Sequence, residues 1–450
     1  MSADGTGGAS AVPSESLRAH PRLLVLIAAE GVSAFGAAVA MIAFSFVSYQ
    51  VTGSLVAAVI TMAAQALPAP LLMRPAKALA LRFDLRWVLV TSHLAKAVLF
   101  LAVALFVSRG AISFTLLLVV ALISGTIGAL SFPSSSELRH QVAPPGKLVR
   151  LNSTTSSLCA LASIAGVLVG GALFDSLGAS SLFVVDGLTQ LFPLVAVLLF
   201  GPLRVPASNA QGAGITGAFQ LVRQTATLRR FVIIAVILQL IAWPILKLLP
   251  RVSSEISASA TTFSLLLACV YAGMALVAPV LAWRERRFSH WTIALVALCI
   301  LTLALSLFSL APVAQEEVRL IALMIVLVPL GLSLSMATTL ASAAVQLASP
   351  GALEAEVLAV HSAIITVLAP VGAIVITSIA GAWSVWAAVA VEAIGIVALL
   401  AYVGRPTIRH EFDVLLHGKG QVLHGYAVHA VPAHALPGSV ETIRAPAHSR

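Results

Sequence analysis

RLLVLIAAEGVSAFGAAVAMIAFSFVSYQ, residues 22–50, carries Arg22 at its start, Glu30 eight residues later and no other charge. A helix needs roughly 20 largely apolar residues to cross a hydrocarbon core about 30 Å thick, and this run is longer than that. It also exceeds the apolar core of about 7–15 residues found in a cleaved signal, and no small-residue cleavage site follows a short core. It reads as a retained first span. FTLLLVVALISGTIGALSFP (114–133) repeats the pattern, rich in the Gly and Ala that let membrane helices pack closely. Of the 450 residues 60% are hydrophobic and only 10% charged, against roughly 25% charged in soluble domains. The chain is an all-α membrane protein.

Working outward from that run, about twelve spans are expected: 22–48, 54–73, 87–108, 111–133, 152–174, 179–200, 231–250, 261–283, 291–311, 318–340, 357–380 and 383–403. They form two six-helix bundles, 22–200 and 231–403, joined by a cytoplasmic middle loop, 201–230. Residues 1–21 and 404–450 read as disordered cytoplasmic tails, poor in apolar residues and rich in Gly, Pro, Ser and Ala. With the N-terminus inside, most Lys and Arg residues fall on the inner side, as the positive-inside rule requires. The net charge of +9 is therefore a topology signal, with no dense basic arm for nucleic acid. Arg82-Phe83 with Trp87 recurs as Arg287-Phe288 with Trp291, and VVDGL (184–188) is echoed by AVEAI (390–394), which points to parallel duplicated halves.

AKALALRFDLRW (76–87), between two oily runs, holds Lys77, Arg82, Asp84 and Arg86. With it stand YQVTGS (49–54), AAQALPAPLL (63–72), FPSSSELRHQVAPPGKLVRLNS (132–153), GVLVGG (166–171), LFVVDGLTQL (182–191) and VQLASPGALEAEVLAVHS (345–362). In this order they resemble the major facilitator superfamily, in its branch of enterobactin exporters and macrolide-efflux proteins. The resemblance implies two pseudo-symmetric bundles and a gating loop after span two of the form Gly-x-Leu-Ala-Asp-Arg-x-x-Arg-Arg. Here the glycine position is Lys77, the aspartate position Leu81 and one basic position Leu85, while Arg82 and Arg86 remain and Asp84 lies between them. Ser135 and Glu356 stand where the family has arginines, and Val167 where a proline usually follows the first glycine of span five.

An ionisable group deep in a bilayer costs at least ~2.5–3.5 kcal/mol and is a functional candidate for that reason. Glu30, Lys96, Asp186 and Glu392 are such groups. Glu30 lies roughly 12 Å into span one at 1.5 Å per residue, and Lys96 at a similar depth in span three. Three readings of Glu30 stand side by side: a proton carrier, a static ion pair with Lys96, and a contact for a cationic substrate. Asp186 and its repeat partner Glu392 fit structural pairing or capping better than transport, and His93, one turn before Lys96, is a candidate pH sensor. In span seven, Gln239 and Trp243 with Pro244 offer an amide, an aromatic wall and a kink to a cavity, or ordinary packing. Gly166, Gly170 and Gly171 permit close helix approach.

Cys159, Cys269 and Cys299 lie inside apolar runs and have no metal-site spacing; the tail histidines, His410, His417, His424, His429, His434 and His448, match no ligand pattern. No metal or cofactor is expected. No P-loop and no catalytic constellation is present, so the chain reads as a non-enzyme without its own ATP site. By resemblance it is a secondary active transporter of a bacterial inner membrane. Monomeric and proton-coupled, it is expected to export a small amphipathic compound such as a drug, siderophore or lysolipid. A non-transporting scaffold or sensor that has lost its gating loop is the alternative.

Overall fold

Backbone N–H and C=O groups find no water inside a bilayer, so an oily chain of this length must satisfy them within helices. The computed structural model describes residues 21–143, 148–204, 215–257, 259–284, 288–349 and 354–417, and these are almost entirely helical. Eleven helices among them are long and apolar enough to span a membrane, and a pair bent by 59° brings the number to 12. In chain order they are α1 (Pro21–Thr52), the bent pair α2 (Leu55–Leu71) and α3 (Met73–Arg82), α4 (Leu85–Ser108), α5 (Phe114–Val142), α6 (Leu148–Leu177) and α7 (Ala179–Leu198). Then follow α8 (Ile215–Gln224), α9 (Ala226–Ile241), α10 (Ile245–Ile256), α11 (Ala260–Ala275), α12 (Val277–Arg284), α13 (His290–Ser309), α14 (Glu316–Leu347), α15 (Glu354–Ala382), α16 (Val385–Val403) and α17 (Pro406–His417).

Several boundaries differ from the sequence reading for local reasons. Helix α5 runs to Val142, nine residues past the expected end at 133, because Pro133 lies inside it without ending it. That extension carries Ser135 and Arg139 on the same helix as the fourth span. Span seven breaks between α9 and α10 at residues 242–244, where Pro244 supplies no N–H. Part of the expected loop 201–230 is the short helix α8. The expectation of disorder from residue 404 is corrected by α17: Ile408 and Phe412, four residues apart, bury one face of it, and Phe412 meets Phe231 edge-on at 4.9 Å. Arg230 also pairs with Glu411. His410 is exposed on this helix, and His424, His429, His434 and His448 lie outside the described residues.

The chain divides into two compact units. One takes the described residues within Met1–Gly53, Thr61–Ala207 and Ser257–Ala268, the other those within Ser54–Ile60, Ser208–Ile256 and Cys269–Arg450. In the first, α1 packs on α6 through glycines. A methyl group at Gly166 would sit 2.4 Å from the Phe35 carbonyl oxygen, and one at Gly170 3.2 Å from Val39 Cα. Gly171 turns to α11, where a methyl would lie 2.1 Å from Ser264 Oγ. Beside these contacts Phe44, Phe100 and Phe183 form a buried aromatic group, with Phe183 6.0 Å from Phe44 and 6.3 Å from Phe100. In the second unit Gly273 and Gly331 bring α11 and α14 together: a methyl on either would stand about 2 Å from a carbonyl oxygen of the other helix.

Asp175, at the end of α6, holds the start of α11. Its Oδ2 accepts from Thr261 N at 2.8 Å, Thr261 Oγ1 at 2.7 Å and Ser259 Oγ at 2.6 Å, and its Oδ1 accepts from Ala260 N at 3.1 Å. A carboxylate on free N–H groups at a helix N-terminus also meets the positive end of the helix dipole.

Two stability outcomes follow from these contacts. Gly166→Ala pushes a methyl into the α1 backbone and is expected to cost about 1–3 kcal/mol, whereas Gly381→Ala, where a methyl meets nothing within 4 Å, stays within about 0.5 kcal/mol; thermal unfolding of purified protein in detergent reads the difference. Asp175→Ala is expected to lower stability by about 1 kcal/mol, the typical cost of a lost helix N-cap, with Asp175→Asn retaining part of it.

Candidate functional site

The first unit contains a cavity of about 290 Å³. Its apolar wall includes Leu26, Leu89 and Val197, and its polar groups are Glu30, Ser33, His93, Ser135 and Cys159. Five helices, α1, α4, α5, α6 and α7, each contribute at least one side chain.

Glu30 is half-buried on the α1 wall, and its partner comes from α5. Arg139 Nη1 donates to Glu30 Oε2 at 3.1 Å and to Oε1 at 3.4 Å. Of the three readings of Glu30, the static pair with Lys96 is not the one formed: its ion-pair partner is Arg139. The physical reason is the continuation of α5 past Pro133, which carries a guanidinium back to the carboxylate's level. Both side chains keep some exposure, 25% for Arg139 and 19% for Glu30, so the pair is not sealed in the core, and Glu30 lines the cavity.

Lys96 serves a different carboxylate. It interacts electrostatically with Asp186 of α7. Its ammonium lies over Gly128 of α5, where an added methyl would be 3.5 Å away. Asp186 is 2% exposed and faces Gly36 of α1, where a methyl would stand 3.0 Å from Asp186 Oδ1 and 1.8 Å from Thr189 Oγ1. Glycine at 36 is thus what admits α1 to the buried carboxylate. Gln190, one turn on, donates from Nε2 to Asp186 Oδ1 at 3.0 Å. Its Oε1 is 3.0 Å from His93 Nδ1. A continuous line of hydrogen bonds leads from the cavity wall at His93 to a carboxylate deep between helices. The sequence reading named Asp186, Lys96 and His93 but missed Gln190 and Arg139. Gln190 had a signal, its position four residues after Asp186 on one helix face; Arg139 had none, being 109 residues from Glu30.

The other sequence candidates are scattered. Lys77 and Arg82 are exposed on α3. Asp84 caps α4, accepting from Arg86 N at 2.9 Å, and also accepts from Leu203 N at 3.2 Å. Arg86 Nη1 donates to the Phe200 carbonyl at 3.3 Å. These loop charges tie the start of α4 to the chain after α7. Gln239 and Trp243 lie in the second unit at the α9–α10 break, with Trp243 Nε1 buried and without a hydrogen-bond partner among the described residues. Glu392 on α16 is fully buried, and neither carboxyl oxygen has a partner among the described residues. No group of His, Cys, Asp and Glu among the described residues is arranged to hold a metal ion.

Residues 18–414 match the family described as transmembrane secretion effector, MFS_3. The chain belongs to this family of major facilitator transporters. Among curated proteins no sequence matches it. Solved structures share the fold at low identity. A bacterial homologue of the human lysosomal transporter Spinster, inward-facing and unoccupied, is 13% identical with a TM-score of 0.70 over 88% of this chain and 97% of its own. The nucleoside transporter NupG is 13% identical with a TM-score of 0.69, over 85% and 98%. A D-xylose–proton symporter is 14% identical with a TM-score of 0.65, over 85% and 97%.

The Glu30–Arg139 pair makes a double-mutant cycle informative. Arg139→Ala leaves a carboxylate stranded in a mostly apolar cavity and is expected to destabilise more than the double variant Arg139→Ala with Glu30→Gln. The coupling expected from thermal unfolding in detergent is about 1–3 kcal/mol; additive effects would show that the pair has no energetic meaning.

Proposed function

We propose that this chain is a monomeric secondary active transporter of a bacterial inner membrane, with both termini cytoplasmic, that exports a small amphipathic compound in exchange for protons. A drug, a siderophore or a lysolipid has the required shape and polarity. The observation that carries the reading is Glu30 on the wall of a largely apolar cavity, half-buried and paired with Arg139. An apolar wall with one acid–base pair suits a molecule that is mostly hydrophobic with a polar end, and suits a sugar poorly.

The chemistry of exchange then follows from charge. A proton taken up on Glu30 Oε2 neutralises the carboxylate and removes the attraction that holds Arg139 Nη1 to it. Arg139 is then an unpaired cation beside the cavity, which disfavours a cationic substrate and favours its release. Loss of the proton restores the pair. Proton and substrate thus compete for the same local charge balance, which is what antiport requires. Alternating access supplies the framework in which this exchange would run.

Purified protein sealed in liposomes under an imposed pH gradient provides the test, with cationic dyes, macrolides, siderophores and lysolipids as the panel. Substrate-triggered proton movement in the wild type that is lost in Glu30→Gln is the expected result. Movement that survives the substitution would remove Glu30 from the carrier role. No movement with any compound, from folded protein, would favour the non-transporting scaffold, for which Leu81, Ser135 and Glu356 at altered loop positions are the motive.

A further inference from the structure

Asp186, Gln190 and His93 are joined by two hydrogen bonds of 3.0 Å each, and only His93 reaches the cavity. The chemistry of the three groups fixes how they are protonated. An ionised carboxylate only accepts, so Gln190 must present its NH2 to Asp186 and its carbonyl to His93. His93 Nδ1 must then carry a proton to donate to that carbonyl. In a neutral ring the second nitrogen, Nε2, is left with a free lone pair. An imidazole held by Nδ1 against Gln190 therefore offers the cavity side a hydrogen-bond acceptor at Nε2.

We propose that Asp186 is a second proton-binding site, loaded from the cavity through His93 and Gln190, and that its loading inverts His93 from acceptor to donor. A cavity proton binds Nε2. The Nδ1 proton passes to Gln190 Oε1, and a half-turn of the O-protonated amide carries it to Asp186 Oδ1, which takes it and leaves the amide in its ordinary form. One proton has entered, one rests on Asp186, and His93 and Gln190 are again neutral. The protonated Asp186 now donates to the Gln190 carbonyl, the amide NH2 faces Nδ1, and His93 carries its proton on Nε2. The buried charge on Asp186 is thereby read out as a change of hydrogen-bonding sign on the cavity wall.

The groups around the relay are few. On α4, Lys96 faces Asp186 and also acts on His93. On α1, the residue against the carboxylate is Gly36, which brings no charge. Thr189 donates its hydroxyl to the Asp186 backbone carbonyl at 2.8 Å, within α7. With Asp186 ionised beside the Lys96 ammonium, the unloaded state is the one with Nδ1–H.

The consequence for substrate recognition rests on the cavity being the substrate site; the relay itself does not. It is tested without any transport, in full-length protein labelled with 15N-histidine and held in lipid nanodiscs. His93 is assigned by the resonances that disappear in His93→Gln. Ring-nitrogen shifts separate Nδ1–H, Nε2–H and doubly protonated rings. Above the histidine titration range the wild type is expected to show His93 as Nδ1–H. Asp186→Asn, which can donate to the Gln190 carbonyl as a protonated carboxyl does, is expected to convert it to Nε2–H. Gln190→Leu is expected to lose the Nδ1–H preference, and Asp186→Glu to keep it. A wild type already in the Nε2–H form overturns the proposal, as does Nδ1–H unchanged in both Asp186→Asn and Gln190→Leu. Failure of proton exchange in liposomes with the tautomer change intact would remove the transport reading and leave the relay.

Discussion

In a hydrocarbon slab a polar group that loses its partner finds no water to replace it, and this one penalty organises the molecule. It forces the backbone into helices. It then leaves little to hold helices together, since lipid tails are as apolar as leucine, and close packing of small residues has to supply the attraction. Gly166 and Gly170 against α1, Gly171 against α11, and Gly273 and Gly331 between α11 and α14 are where that packing is tightest. At each a single methyl group would collide with a backbone or hydroxyl oxygen or press on backbone carbon. The interior spaces that remain, such as the cavity beside Glu30, exist between these fixed lines of approach.

The same penalty sorts the charges. Asp84, Arg86 and Asp175 sit at helix ends and are used to finish backbone hydrogen bonding there. Glu30 and Asp186 lie deeper, and each is given partners: a guanidinium for Glu30, an amide and a nearby ammonium for Asp186. The two arrangements differ in what a proton would do. Protonating Glu30 breaks an ion pair at the edge of a cavity. Protonating Asp186 reverses an amide between two side chains and moves no large group.

Much of this was legible from the sequence, and the failures have a common cause. Run length and composition locate the spans because desolvation depends on local chemistry, and the repeated Arg-Phe and Trp signals expose the duplication. Glu30, Lys96, Asp186 and Glu392 announce themselves by being charged where charge is expensive. Pairing is another matter. Depth along two helices makes Glu30 and Lys96 plausible partners, but which faces meet is set by helix rotation and by how far α5 persists beyond Pro133, and neither is written in hydropathy. The helix at 406–417 escaped for a related reason. Its apolar face is only Ile408 and Phe412, too little to stand out until Phe231 is seen to receive it.

The duplication gives one further step. Helices α4 and α13 begin at the N-caps Asp84 and Ser289, and α7 and α16 at Gly178 and Ser384. Counted from these caps, Asp186 and Glu392 occupy the same position, as do His93 and Leu298, Lys96 and Leu301, and Gln190 and Ile396. The second half keeps the acid but has buried leucine and isoleucine at the positions of His93, Lys96 and Gln190. That is why neither Glu392 oxygen has a partner among the described residues. The two acids at this shared position thus stand in opposite surroundings: Asp186 is joined by hydrogen bonds to a histidine on a cavity wall, and Glu392 is enclosed among apolar side chains.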